Sequence, residues 1–324
     1  MALDQLQYEK VDISDFDKRK EDISRQLSHA ASTIGFFYVT GHGISEERLD
    51  RAFAIGKKWF DLALEQKAEY KLDPVEYIGW KDQGVSRKTA RAPKEQITFG
   101  HVAPDNQYAI ALEAKAKKVV PEIEEFTRGF MDDCLRISQT ILRGLAIALG
   151  QDEDFFVKGL DRNLPDAGGQ GGWNNYLPFS SSSPETKWRS PTHADAELFT
   201  LLFQQQGRPG LEVTPGREFF NASNNGKPFL KNWDKFTQPP DEVLTFHPMP
   251  PIKNAITVNI GDLLMRWSDG EYLSTYHRVR APAPDNNIPE TERLSLVYFA
   301  NPARSTVIQA SACRRCVLVP VFLL

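Results

Sequence analysis

Three residues of this sequence could together hold a metal ion. His193 and Asp195 lie two positions apart at the start of an apolar stretch, Ser190–Phe203, whose composition favours a β-strand. Alternate residues of a strand share one face, so we expect the imidazole and the carboxylate to lie side by side. His277 lies in a second strand-like stretch, Tyr272–Arg280. Two imidazoles and one carboxylate with open coordination positions predict a non-haem ferrous site.

A predicted carboxylate receptor follows the second histidine. Arg293 and Ser295 are again two positions apart, at the start of the strand-like run Leu294–Phe299. A guanidinium binds a carboxylate through two parallel hydrogen bonds, and a hydroxyl on the same face adds one more donor. This pair therefore predicts a site for an organic acid beside the metal.

The remaining histidines and cysteines indicate no second site. We expect three histidines that lack a carboxylate two positions away to be structural: His42, His101 and His247. Three cysteines do not make a disulfide framework, which indicates a reducing compartment: Cys134, Cys313 and Cys316. We interpret the Cys-x-x-Cys spacing of the last two as incidental, and the glycines of residues 168–172 as a loop, since no Lys-Ser/Thr follows them.

The elements that must position these residues change in type along the chain. Helical periodicity predicts helices over residues 15–31, 45–68 and 120–149, the second with Ser45 as its N-cap, and Gly35–Thr40 has the composition of a strand. Residues 72–106 contain regularly spaced Pro and Gly, which favours a long irregular surface segment. From Trp173 to Pro302, short strand-like runs predict an antiparallel β core with helices outside it, an α+β protein.

Composition limits the partners. The chain has 324 residues, 41% of them hydrophobic, and a formal net charge of −4 without any long basic run. We therefore expect a small-molecule substrate rather than nucleic acid or a membrane surface. The sequence has no signal-peptide pattern and no apolar run long enough for a membrane span, so a cytoplasmic location is expected. The oligomeric state is not predictable from these features.

The order of these motifs resembles a known family. His193-x-Asp195, then His277, then Arg293-x-Ser295, with Gly35–Ile44 upstream and Asn259–Leu264 before the second histidine, is similar to the isopenicillin N synthase-like Fe(II)/2-oxoglutarate-dependent oxygenases. The likeness runs from about Tyr8 to Pro302 and implies a double-stranded β-helix, or jelly roll.

The resemblance also implies the cofactors and the division of the chain. His193, Asp195 and His277 would hold Fe(II), and 2-oxoglutarate and O2 would be cosubstrates, with ascorbate as the reductant that maintains Fe(II). Arg293, Ser295 and Asn175 would bind 2-oxoglutarate, which would yield succinate and CO2. We expect one catalytic domain over residues 1–324, with a mainly helical part at 1–165, the jelly roll at 166–302 and an atypical tail at 303–324.

Three departures from the family pattern stand out. In Asn175-Tyr-Leu-Pro178, Leu177 occupies a position where the family often has a tyrosine that helps to hold the cosubstrate. The segment between Asp195 and His277 is longer than in most members, with the excess around Phe219–His247. The ending, Cys313–Leu324, lacks the usual helical finish, so a missing lid and lower activity are expected.

Substrate candidates are few. Arg189 is four positions before His193, and strand alternation would place it on the same face, where it could meet an acidic or phenolate group. Aromatic residues that could line the pocket are Trp188, Phe199, Tyr276 and Phe299. The expected reaction is hydroxylation or oxidative rearrangement of a small natural product, with tropolone-type ring expansion in fungal polyketide tailoring as one candidate.

Other functions are open at this point. The iron could act without 2-oxoglutarate, as in isopenicillin N synthase itself. The same three ligands could hold zinc in a hydrolase, with Arg293 merely structural. The scaffold could also serve a non-catalytic binding protein.

Overall fold

Helices cover one face of a large sheet. The computed structural model describes residues 6–84, 93–101, 106–178, 188–215, 244–281 and 292–309. The N-terminal helices are α1 (Phe16–Thr33), α2 (Glu46–Phe60), α3 (Leu64–Ala68), α4 (Gln107–Val119) and α5 (Ile123–Ala148). The predicted long helix is confirmed: α5 buries a continuous apolar stripe that packs on α1 and on the sheet.

Two helices begin in different ways. The Ser45 hydroxyl accepts a hydrogen bond from the backbone N–H of Arg48 at the start of α2, as its position before the helix predicts. Asp15 precedes α1 but has a left-handed backbone, and its side chain makes no capping hydrogen bond. Within the described ranges, no helix has the length and apolar character that crossing a membrane requires.

Among the described residues, eight strands form the larger sheet, called here the main sheet. Their order across it is β1 (Lys10–Asp12), β2 (Phe36–Thr40), β10 (Ile256–Ile260), β7 (Phe199–Gln204), β12 (Arg293–Ala300), β5 (Gln170–Tyr176), β4 (Lys94–Gly100) and β3 (Gly79–Gln83). Every neighbouring pair is antiparallel except β1 and β2.

Four strands in the described part of the chain form the minor sheet, in the order β6 (Trp188–His193), β11 (Tyr276–Arg280), β8 (Leu211–Thr214) and β9 (His247–Pro248). The short helix α6 (Asp262–Trp267) follows β10. The two sheets enclose a small apolar cluster that includes Phe36, Val213 and Val279, whereas the larger core lies between the main sheet and the helices. This arrangement confirms the α+β jelly roll.

Side-chain alternation assigns the two faces of the main sheet. In β5, Trp173 packs against α2, where its indole N–H donates to the Ala52 carbonyl, and Tyr176 belongs to the cluster between the sheets. The face that looks toward the minor sheet is called here the inner face. Gly172 on β5 must be glycine, because a Cβ there would collide with the Ile97 carbonyl on β4.

Three expectations about the chain are wrong. The interval 72–106 is not simply irregular, since β3 and β4 lie in it and complete the main sheet. The stretch 190–203 is not one strand but β6 and β7, which belong to different sheets. The glycine-rich residues 168–172 are not all loop, because β5 begins at Gln170. In each case pairing partners distant in sequence decide the structure, which local composition does not reveal.

Candidate active site

The three predicted metal ligands converge between the two sheets. His193 ends β6 and is the register partner of His277 on β11. One carboxylate oxygen of Asp195, Oδ1, lies 3.7 Å from His193 Nε2 and 3.6 Å from His277 Nε2. The two ring centroids are 4.2 Å apart, and one ligand atom from each residue lies within 4.8 Å of the others. A single ion could contact all three side chains.

The reason for their convergence differs from the predicted one. Strand β6 ends at His193, so Asp195 lies in the connection to β7 and not on the same strand face. The chain turns there from the minor sheet to the main sheet. Backbone hydrogen bonds from Asp262 N to Asp195 O, 2.8 Å, and from Gly261 N to Leu198 O, 2.9 Å, hold this connection against the start of α6.

In each histidine, the ring nitrogen that points away from Asp195 is held by a hydrogen bond to a backbone carbonyl. His193 Nδ1 lies 2.8 Å from the Pro191 carbonyl, and His277 Nδ1 lies 3.2 Å from the Thr275 carbonyl. A carbonyl can only accept, so each Nδ1 carries the proton and each Nε2 lone pair faces Asp195. These contacts give both imidazoles the tautomer that metal binding requires.

Two residues that sequence reasoning did not assign orient the carboxylate. Asp195 Oδ2 accepts hydrogen bonds from the Thr200 hydroxyl at 2.6 Å and from the Asn259 side-chain amide at 2.7 Å. The second oxygen therefore faces the histidines. Thr200 and Asn259 are register partners on β7 and β10, so both approach from the inner face. The motif around Asn259 was visible in the sequence, but no spacing rule linked it to Asp195.

The charge states suit metal binding. Desolvation by the surrounding protein and the adjacent His277 lower the pKa of His193 to about 4, so its imidazole is neutral at neutral pH. Burial alone would raise the pKa of Asp195, but the two imidazoles and the Thr200 and Asn259 hydrogen bonds outweigh it and lower the pKa. The His193 side chain is 42% exposed, against 9% for His277, so the site opens on the His193 side.

Arg293 and Ser295 lie on the inner face, in the same enclosed space. Arg293 is 1% exposed; its Nε donates to the Arg208 carbonyl at 3.1 Å and one terminal nitrogen donates to Gln204 Oε1 at 3.1 Å. Gln204 is fixed in turn by its bond to the Thr257 hydroxyl at 3.0 Å. The guanidinium has no carboxylate partner in the described part of the chain. The guanidinium also has a side-chain hydrogen bond with Tyr176, and its other N–H groups could bind an anion.

The hydroxyl of Ser295 is a buried orphan. It has no hydrogen-bond partner among the residues that the structure describes, although the residue is only 1% exposed. Leaving such a group unpaired costs about 1–3 kcal/mol. A bound carboxylate that spans Arg293 and Ser295 would satisfy it.

Asn175 lies on the other face of the sheet. Its register partners are Leu294 and Glu95, and it lies two positions after Trp173, on the same face that packs against the helices. By contrast, Asn174 pairs with Ser295, and Tyr176 pairs with Arg293. Asn174, and not the expected Asn175, therefore shares the inner face with Arg293 and Ser295. Tyr176 supplies the inner-face phenol that Leu177 lacks.

The structure places the three substrate candidates, Arg189, Phe199 and Tyr276, in different surroundings. Phe199 is fully buried in the helix-facing core, on the face opposite to Thr200. Tyr276 alternates with His277 on a regularly paired strand, so it faces away from the metal ligands. Neither lines the site as expected. Arg189 is 3% exposed rather than a surface residue, but irregular pairing between β6 and β11 removes the alternation argument that linked it to His193.

The other candidate aromatics and histidines have separate roles. Trp188 lies 4.1 Å under the Arg278 guanidinium, on the outer face of the minor sheet, and Phe299 is the inner-face partner of Thr200. As expected, His101 is structural, with its Nε2 2.9 Å from the Tyr298 hydroxyl. Cys134 is a buried free thiol. Most of the expected insertion around Phe219–His247, up to residue 243, lies outside the described residues, as do Cys313, Cys316 and the end of the tail.

Comparison with known sequences decides the family. Residues 9–122 match the family described as non-haem dioxygenase in morphine synthesis N-terminal, and residues 173–302 match the 2OG-Fe(II) oxygenase superfamily. The chain belongs to this oxygenase superfamily. The cofactors of this oxygenase are accordingly Fe(II), 2-oxoglutarate and O2. The site fits them, since three oriented donors converge and a guanidinium and a buried hydroxyl are placed to bind a carboxylate.

Named relatives and solved structures agree with this assignment. Validamycin A dioxygenase from Streptomyces hygroscopicus subsp. limoneus is 27% identical to this oxygenase over 87% of this chain and 72% of its own length. The 2-oxoglutarate-dependent dioxygenase tropC from Talaromyces stipitatus is 26% identical over 87% and 80%. A full-length Neurospora crassa protein, solved in complex with α-ketoglutarate, has the same fold, with a TM-score of 0.74, 24% identity and coverage of 99% and 95%.

Proposed function

We propose that this oxygenase hydroxylates or oxidatively rearranges a small natural-product molecule, converting 2-oxoglutarate into succinate and CO2. The observation that carries the proposal is the placement of Arg293 and Ser295 on the inner face beside His193, Asp195 and His277. A metal hydrolase would need the three ligands but not the carboxylate receptor.

Each residue has a defined part in this proposal. His193, Asp195 and His277 hold Fe(II), which supplies the oxidising chemistry when 2-oxoglutarate and O2 are bound. Arg293 and Ser295 receive the distal carboxylate of 2-oxoglutarate, so that its keto acid end faces the metal ligands. Thr200 and Asn259 keep Asp195 oriented.

In the proposal, the small apolar cluster between the two sheets shields the metal ligands from water. Phe36 packs edge-on against the His277 ring, with ring centroids 5.1 Å apart, and limits the access of water from that side. The open side next to His193 is where a substrate would enter. Arg189, buried in the same strand as His193, is a candidate contact for that substrate.

The names of relatives support a natural-product substrate without fixing it. Validamycin A dioxygenase and the dioxygenase tropC are 27% and 26% identical, distances at which substrates differ. A tropolone-type ring expansion is one candidate reaction. Direct product analysis with phenolic and alicyclic natural products would identify the oxidised carbon.

An anaerobic titration tests the proposal. Fe(II) and 2-oxoglutarate added together should give the weak visible charge-transfer band of a chelated keto acid, and Asp195→Ala should abolish it. Admission of O2 should then release succinate. Oxygen consumption without succinate would indicate an iron oxidase that does not use 2-oxoglutarate.

Two further outcomes would contradict the proposal. Activity that needs no O2 would indicate a metal hydrolase at the same ligands. Binding of 2-oxoglutarate without any succinate on prolonged exposure to O2 would indicate a non-catalytic binding protein.

A further inference from the structure

A lysine lies in the same row of the main sheet as the cosubstrate receptor. Lys94 begins β4 and is the register partner of Tyr176 on β5, which in turn is the partner of Arg293 on β12. Directly paired residues project to the same face, so Lys94 also points to the inner face. Two strand spacings of about 4.8 Å separate its backbone from that of Arg293, roughly 10 Å in all.

Both cations lie close to the ring of Tyr176, whose strand separates theirs. Lys94 Nζ and the Arg293 guanidinium carbon are each 5.3 Å from the centre of the ring. Arg293 is fully buried and faces the proposed distal carboxylate site, whereas Lys94 is half-buried. Tyr176 therefore divides an inner, enclosed cation from an outer one that a molecule entering the site could reach.

Among the described residues, Lys94 has no acidic partner, unlike the buried Lys67. Lys67 forms a buried ion pair with Glu95, the residue that follows Lys94 and points to the opposite face, at 2.7 Å. In the described ranges, no carboxylate lies within ion-pair distance of Lys94.

We propose that Lys94 receives an anionic group of the organic substrate, so that the substrate class is a small carboxylic acid. The proposal rests on the function proposed above. An ammonium group held over an aromatic ring and partly out of water attracts a carboxylate more strongly than a fully solvated lysine does. A contact remote from the reacting carbon would orient the rest of the substrate toward the ligands His193 and His277.

The alternative role of Lys94 is to help Arg293 bind 2-oxoglutarate. A first measurement distinguishes this role from binding of the substrate. Lys94→Met keeps the aliphatic stem and removes the charge. We expect its affinity for 2-oxoglutarate, measured anaerobically with Fe(II) through the charge-transfer band, to stay within twofold of the parent protein. A tenfold loss would assign Lys94 to the cosubstrate and overturn the proposal.

The second measurement uses pairs of carboxylic acids and their primary amides: benzoate and benzamide, cinnamate and cinnamamide, octanoate and octanamide. The readout is the concentration of each that half-maximally changes succinate formation from 2-oxoglutarate, whether by stimulation or by inhibition. In the parent protein, at least one acid should act at a concentration tenfold or more below that of its amide. The ratio of the amide concentration to the acid concentration should fall to about one in Lys94→Met. It should stay high in Lys94→Arg.

A matched control is available. Lys115 Nζ lies 5.0 Å from the Tyr70 ring, a similar contact made by a lysine on the helical side of the main sheet. Lys115→Met should keep the acid preference. No preference for acids in the parent protein, or an unchanged preference in Lys94→Met, would contradict the proposal. Succinate formation in the absence of any test compound shows independently whether the proposed oxygenase activity is present.

Discussion

The Thr200 hydroxyl donates a 2.6 Å hydrogen bond to Asp195 Oδ2 and so turns the other carboxylate oxygen toward His193 and His277. Thr200 lies on the main sheet and both histidines lie on the minor sheet. The carboxylate is therefore oriented by one sheet and presented to ligands from the other.

Loss of this bond should weaken metal binding. We expect Thr200→Val, which has nearly the same shape, to reduce Fe(II) affinity by about 10–100-fold, the usual effect of removing a hydrogen bond to a metal ligand. Metal titration under anaerobic conditions measures it. Thr140→Val removes an exposed hydroxyl from α5 and serves as the control; equal effects of the two substitutions would refute the role of Thr200.

Removal of the Arg293 charge should affect the cosubstrate alone. We expect Arg293→Met to weaken 2-oxoglutarate binding by about 2–5 kcal/mol, the cost of removing one partner of a buried charged pair. Fe(II) affinity should change little, because Arg293 touches none of the three metal ligands. Titration of each ligand separately checks this, and an unchanged 2-oxoglutarate affinity would exclude Arg293 from the receptor.

The register of β5 can be tested with two adjacent substitutions. Asn174 faces Ser295 on the inner face, whereas Asn175 faces the helices. Asn174→Ala should weaken 2-oxoglutarate binding several-fold, and Asn175→Ala should leave that affinity unchanged in the folded protein. Circular dichroism establishes folding in both. The reverse pattern would show that the strand is shifted by one residue.

The buried pair of Lys67 and Glu95 should contribute strongly to stability. Lys67 Nζ contacts both carboxylate oxygens, at 2.7 and 3.0 Å, and the Phe60 carbonyl, with both side chains only 8% exposed. We expect Lys67→Met to lower the free energy of unfolding by about 3–5 kcal/mol, since it leaves Glu95 buried and unpaired. Lys117→Met, at an exposed pair with Glu124, should cost less than about 1 kcal/mol in the same denaturant titration.

His101 should make stability depend on pH. Burial lowers its pKa from 6.5 to about 4, so between these values the unfolded chain binds a proton that the folded protein does not. The free energy of unfolding should therefore fall as pH falls from 6.5 to 4, by on the order of 3 kcal/mol from this residue. His101→Gln should make the fall shallower in denaturant titrations over this pH range.

The sequence predicted the parts of this protein that local patterns determine. The periodicity over residues 120–149 predicted α5, and the types and order of His193, Asp195 and His277 predicted the residues that the structure brings together. The spacing of Arg293 and Ser295 placed both on one face correctly, because β12 is a regular strand.

The parts that local patterns do not determine could not be predicted. A shift of one residue moves a strand's side chains to the other face, and nothing in Trp173–Tyr176 indicates which asparagine faces inward until its pairing with β12 is known. Because β6 pairs irregularly with β11, strand alternation does not predict which face Arg189 occupies. Strands β3 and β4 lack a strong pattern of their own and form by pairing at the edge of an existing sheet.

The connection between β6 and β7 links metal binding to the unfolding of this protein. His193 and His277 belong to one sheet, and Asp195 is tied through Thr200 and Asn259 to the other. An ion held by all three would cross-link both layers of the sandwich. Separation of the layers would then require release of the ion, so the free energy of unfolding would rise with the concentration of metal.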